Sequence, residues 1–188
     1  MFFLTLSIEP NVTSPMNSVY VFLSKWKNLL LLFCLFVLAN VLLGQFMPKD
    51  HALDLMFAYS ADDAYASLGQ LDAEQRKLYS FGLWALDMPY LFVYGLFFSG
   101  VLIKLWGRRG FVWIPISIMI MDFFENILAL NILYYLPERH DSLAFLASIF
   151  TTSKWILVGV LAIAVILGLF CLKIPRLFSK EPSVKAGN

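Results

Sequence analysis

The chain has 188 residues, 60% of them hydrophobic and only 14% charged, with a formal net charge of +1. Soluble domains run nearer to about 45–50% apolar and about 25% charged. The apolar residues come in long blocks rather than in alternation, and no basic excess offers a footing for nucleic acid, so a soluble core is excluded and the lipid bilayer is the expected partner.

Residues 1–27 read as a short cytoplasmic tail, in which Met16 is an alternative start to Met1. Asn11-Val12-Thr13 spells a glycosylation acceptor, discounted by that placement. A first span is expected at about 28–47, where Leu29–Met47 carries no charge. Its apolar run exceeds the roughly 7–15-residue core of a cleaved signal peptide, so it is expected to stay as a span.

The outer loop, 48–79, is the one segment outside the membrane long enough to fold. Ser60 followed by Asp63 fits a capped helix start, Gly69 a stop, and Asp72 followed by Gln75 a second start. Ala61, Ala64, Tyr65 and Leu68 give the first piece a modest apolar face, so a short helical cap is expected, with the second piece running into span two.

Span two, 80–105, contains Asp87, Pro89, Tyr90 and Tyr94. The short basic turn Trp106-Gly-Arg-Arg-Gly-Phe111 then forces an antiparallel hairpin with span three, 111–135. Asp122, Glu125 and Asn126 lie in that third span at i, i+3 and i+4, on one helical face. Span four is expected at 154–173, clipped by Lys154 and Lys173, before a tail at 174–188. Nine basic residues fall before span one, between spans two and three and after span four, against five on the other side. Both termini are therefore expected in the cytoplasm, with a bacterial inner membrane as the setting. The fold is expected to be an all-α polytopic membrane protein, an antiparallel four-helix bundle with a helical cap in its first outer loop.

The acids inside spans two and three stand out. Each costs about 2.5–3.5 kcal/mol at mid-bilayer, whereas hydrogen bonds between membrane helices average only about 0.6 kcal/mol. Counting about 1.5 Å per residue from the hairpin turn puts Tyr94 level with Asp122 and Tyr90 level with Glu125, with Asp87 higher. Pro89 frees the carbonyl of Ala85 and permits a kink beside them. No cation inside the membrane is expected to offset the acids; only Arg76, Lys77 and Lys154, placed at outer span ends, could lean in. Two nearby acids could share one proton.

Other features say less. Cys34 and Cys171 form no Cys-x-x-Cys and read as small buried apolar residues. His51 and His140 show no ligand spacing, so no metal is expected. Nothing identifies a cofactor. Gly95 with Ser99, and Ala164 with Gly168, are small residues four apart that suit close helix packing or a homodimer.

Tyr59 and Ser60, Arg76 and Tyr79, Asp87, Pro89, Tyr94, and Asp122, Glu125 and Asn126 together resemble the pattern of a family of small bacterial four-helix integral membrane proteins. That pattern has an outer-loop Tyr-Ser, an Arg-x-x-Tyr, an intramembrane Asp followed by Pro and Tyr, and an Asp-x-x-Glu-Asn. The resemblance departs where a Leu-Gly precedes the Arg; Leu71-Asp72 stands there in this chain. It implies the same membrane placement, adds Arg76 and Tyr79 to the site, and supplies no substrate. Arg76 could pair with Asp87 or with a ligand's anionic group, or snorkel to lipid headgroups.

The leading expectation is a binding module for a small amphipathic or cationic ligand, including a lipid. Its pocket would be open to the outer side and formed by Asp87, Tyr90, Tyr94, Asp122, Glu125 and Asn126, with Arg76 and Tyr79 at the mouth. The alternatives are an intramembrane acid–base enzyme of isomerase or hydrolase type using Asp122 and Glu125 with Asp87, a proton-coupled transporter acting as a dimer, and a non-catalytic subunit or assembly factor.

Overall fold

The structure is a computed structural model describing residues 15–48, 50–107 and 109–178. Lys49, Arg108, the Asn11 acceptor, Lys180 and Lys185 lie outside the described residues, as do the side chains of Arg109, Lys173 and Arg176. Every regular element among the described residues is helical. Four stretches are long and apolar enough to cross a membrane: Trp26–Phe46, Ala73–Trp106, Gly110–Tyr135 and Asp141–Cys171. The chain is an all-α membrane bundle.

Helix α1 (Pro15–Ser24) opens on a proline, which suits a first turn whose N–H has no partner in any case. The residues before Lys25 are thus helical from Pro15 onward rather than a plain tail. Lys25 is extended and breaks the chain before α2 (Trp26–Phe46). In the outer loop both expected caps form. Ser60 accepts from the Asp63 amide and Asp63 from the Ser60 amide, starting α3 (Ala61–Gly69). Asp72 and Gln75 exchange the same pair of bonds at the start of α4 (Ala73–Gly82).

From α4 the chain passes without a break into α5 (Met88–Trp106) through one widened π turn, Leu83–Asp87. Pro89 brings no N–H to the ladder and its ring crowds the preceding turn, and widening that turn is how the helix continues. Gly107 closes α5 in the left-handed conformation, at φ 62°. Helix α6 (Trp113–Tyr135) returns antiparallel to it.

Helix α7 (Asp141–Phe178) starts well before the apolar block that begins at Trp155. Its buried residues explain why: Ala144, Ala147, Thr151 and Lys154 recur at three- and four-residue spacing, with Leu161 two turns further on, and face the bundle. Such a seam makes a helix whatever its mean hydropathy. Small residues let the helices approach inside one chain. A Cβ on Gly95 would meet the Met119 sulfur on α6, and one on Gly168 would stand 2.9 Å from Leu105 on α5. Cys34 and Cys171 face outward rather than into the bundle, where membrane lipid would cover them.

Two apolar layers fill the bundle. The outer one joins the loop to the spans through Leu53, Leu68, Tyr79, Leu83, Ile132 and Ala144. The inner one gathers Leu91, Tyr94, Leu102, Ile118 and Leu161. Tyr79 ties down the loop: fully buried, it accepts from the Leu53 amide at 2.8 Å and donates to Asp54 at 3.0 Å. At the far side Arg139 reaches Asp62 at 2.6 Å and lies over the Tyr65 ring, stitching α3 to the α6–α7 turn. The Ser60 bonds hold the Asp63 carboxyl below the usual carboxylate range.

Tyr79→Phe removes both bonds and leaves a buried amide unpaired, at a cost of about 1–3 kcal/mol. Hydrogen–deuterium exchange at residues 52–56 should speed up while exchange in α6 stays slow. Unchanged exchange at Leu53 would contradict this role.

Candidate functional site

Lys154 is the centre of the site, and it stands inside the bundle. Its Nζ lies 3.0 Å from Asp122 Oδ1 and 2.6 Å from Glu125 Oε2, with the lysine side chain 10% exposed and the acids 8% and 0%. The contact with Asp122 is a hydrogen bond and the one with Glu125 an ion pair. The expectation that no cation offsets the intramembrane acids is therefore corrected. The lysine that bounds the apolar block on α7 turns inward because the helix begins at Asp141 and carries it along the buried seam.

The other polar groups extend this centre on both sides. Tyr94 donates to the second Asp122 oxygen at 2.9 Å, so the tyrosine and acid are level, as counted from the hairpin turn. Thr151, one turn before Lys154, donates to Glu125 at 2.8 Å. Asn126 donates to one oxygen of Asp87, while the amide oxygen of Asn126 is buried with no partner among the described residues. Tyr90 departs from the expected pairing with Glu125. Its hydroxyl accepts from Asn40 on α2 at 2.9 Å. Counting residues fixes height along a helix, but the direction a side chain faces depends on which helix packs there.

Depth follows from the aromatic residues at the bundle surface. Trp84 and Tyr134 are 65% and 82% exposed on the outer half, and Trp26 and Trp113 are 73% and 66% exposed on the inner half. Trp84 is ten residues above Tyr94 and Trp113 nine below Asp122, so the belts stand about 15 Å to either side of the ion cluster. Tryptophans favour the edges of a hydrocarbon layer about 30 Å thick, and Lys154 lies between these two sets.

Beside the cluster lies a cavity of about 800 Å³. Helix α2 packs against α5, and α7 against α6 and α5, so α2 and α7 stand apart with the cavity between them. Its polar wall includes Asp54, Asp87, Asp122, Lys154, Tyr90 and Tyr94. Apart from Asn40 the rest is apolar, with Phe36, Phe98, Ile118, Leu161 and Val165 on the inner side. Leu55, Trp155 and Ile166 also line it and are 54%, 38% and 51% exposed, so it opens along the side of the bundle. Glu125 and Asn126 stand behind this wall and hold Lys154 and Asp87 in place.

Asp54 and Thr151 are site residues that sequence reading missed, and Lys154 is one it named only as able to lean in from a span end. Asp54 arrives from the loop, in the 3-10 turn Leu53–Leu55, held by Tyr79 and by Trp155, which donates to the Asp54 carbonyl at 3.0 Å. Burial pushes its carboxyl above the ordinary range, with Lys154 opposing. Tyr79 is thus a support of the loop rather than part of the cavity wall. Arg76 is half-buried, and among the described residues it forms no ion pair with Asp87 or any other acid. His51 and His140 do not assemble a metal site, for no group of three or more His, Cys, Asp or Glu among the described residues is arranged to hold one.

No protein-family model, curated protein or solved structure matches this chain. The likeness of its Asp-x-x-Glu-Asn pattern thus stands on those motif residues.

Two outcomes are expected. Lys154→Met leaves two buried carboxylates without their cation and should cost about 3–5 kcal/mol. Adding Asp122→Asn and Glu125→Gln should recover most of that in thermal unfolding in detergent; a single variant as stable as the wild type would contradict the ion cluster. For Asp54, a carboxyl raised by burial gives stability that is full at acid pH and is lost as pH rises through its folded value. Asp54→Asn keeps the oxygen that accepts from Tyr79 and has no charge to bury. Its melting temperature should gain on the wild type as pH rises, and a constant difference would count against the buried charge.

Proposed function

We propose that this protein binds a small amphipathic molecule inside the membrane, with the polar head against Asp87, Asp122, Tyr90 and Tyr94 and the apolar body along α2 and α7. The observation that carries this reading is the cavity beside the ion cluster: a volume of about 800 Å³, apolar for most of its lining, with its acids gathered on one wall. That is the size and character of a ligand site. Intramembrane acids are costly and are usually tied to function. The 3-10 turn Leu53–Leu55 lies at the outer end of the cavity, which favours entry from the bilayer between α2 and α7. The excess of Lys and Arg at the turn between α5 and α6 and in the tails supports cytoplasmic termini, as in a bacterial inner-membrane protein.

A second reading, an intramembrane acid–base enzyme, is favoured by one observation. Tyr94, Asp122, Lys154, Glu125 and Thr151 form an unbroken chain of polar contacts that begins at the cavity. Such a chain could pass a proton to or from a bound molecule. Turnover lost in Glu125→Gln while binding persists would select it.

The direct test compares small molecules retained through purification by the wild type and by Ala162→Trp. Ala162 lines the cavity but is exposed, so added bulk fills space without displacing the core. Mass spectrometry of the extracts should find a compound with the wild type and not with the variant. Identical extracts from two equally stable proteins would overturn the binding reading.

A further inference from the structure

We infer that the ligand is a lipid-soluble amine with a single hydrocarbon tail, held with its nitrogen at Asp87 and its tail running along α7 toward the inner side. This rests on the binding reading above and names the chemistry of the head.

Three observations converge. First, the cavity wall carries three carboxylates, those of Asp54, Asp87 and Asp122, against the single cation of Lys154. Lys154 is already engaged by Asp122 and Glu125, so it has little field left for an incoming anion. A phosphate or carboxylate head would meet a wall of acids with no free cation to receive it. An amine head finds acid oxygens as partners instead.

Second, Asp87 has an unused acceptor. It is 8% exposed, spends one oxygen on Asn126, and its other oxygen takes no hydrogen bond among the described residues while the side chain lines the cavity. That oxygen is an acceptor available to whatever occupies the cavity. An ammonium N–H can donate to it, and the pairing of opposite charges strengthens the bond. Tyr90 and Tyr94 stand beside it with ring centroids 5.1 Å apart, and their faces suit a cation.

Third, the apolar part of the cavity is long enough for a chain. On α7 it runs from Lys154 to Val165, eleven residues or about 16 Å of helix. Phe36 and Phe98 face that stretch from α2 and α5. A dodecyl chain fits such a slot, and the gap between α2 and α7 lets it enter from the surrounding lipid.

The test uses the full chain in lipid nanodiscs with three labelled probes of one tail: dodecylamine, dodecanol and dodecyl phosphate, each corrected for uptake by empty discs. The wild type should bind dodecylamine at least about tenfold more tightly than dodecanol, the worth of one charged hydrogen bond, and should exclude the phosphate. Asp87→Asn should lose that preference while still binding dodecanol. Ala162→Trp should lose both, and thermal unfolding checks that each variant is folded. An amine bound equally by the wild type and Asp87→Asn, or a phosphate bound as tightly as the amine, would overturn the assignment of the head while leaving the cavity reading in place. If no probe binds, the cavity reading itself falls, and the inference with it.

Discussion

Lys154 held between Asp122 and Glu125 is the contact on which the rest of the molecule depends. Alone at mid-bilayer, each of these groups would oppose insertion by about 2.5–3.5 kcal/mol. Together on α6 and α7 they satisfy one another and fix the register of those two helices, since Thr151 meets Glu125 one turn from where Lys154 meets Asp122. A seam of alanines and threonine brings the backbones close enough for the lysine to reach. The outer loop then closes over that end, with Asp54 facing the lysine and Tyr79 and Trp155 holding Asp54.

The cluster is not balanced, and the imbalance gives the cavity its character. One lysine answers Asp122 and Glu125, whereas Asp87 and Asp54 are answered by neutral donors, Asn126 and Tyr79. A purely structural arrangement would pair the acids or dispense with them, because well-packed apolar residues serve stability as well or better. Here the surplus faces an apolar space between α2 and α7 that no helix among the described residues fills. Placement of the acidic wall between the aromatic residues at the two ends of the bundle means that whatever meets it does so away from bulk water, where the charge of a head group counts most.

Much of this was legible in the chain. The apolar blocks located four spans, and the Ser60 and Asp72 capping boxes located α3 and α4, because both signals are local. Residue counting from the hairpin turn put Tyr94 level with Asp122, because helical rise is constant. What was hidden depends on packing. Ser148, Thr151 and Lys154 lower the hydropathy just where α7 is already helical, so the span looked shorter and its lysine looked like an end marker. The helical spacing of Ala144, Ala147, Thr151 and Lys154 was the signal that could have found it. Tyr90 turned to Asn40 on α2 because height along a helix says nothing of direction around it. Asp54 came from a loop whose fold is set by a tyrosine twenty-five residues away.

The measurement that bears most directly on this account is an experimental structure of the full chain in a lipidic phase. Lys154 should lie between Asp122 and Glu125, with elongated density between α2 and α7 ending at Asp87. A lysine turned out toward the lipid headgroups, with α2 closed against α7 and no space between them, would contradict both the ion cluster and the site built beside it.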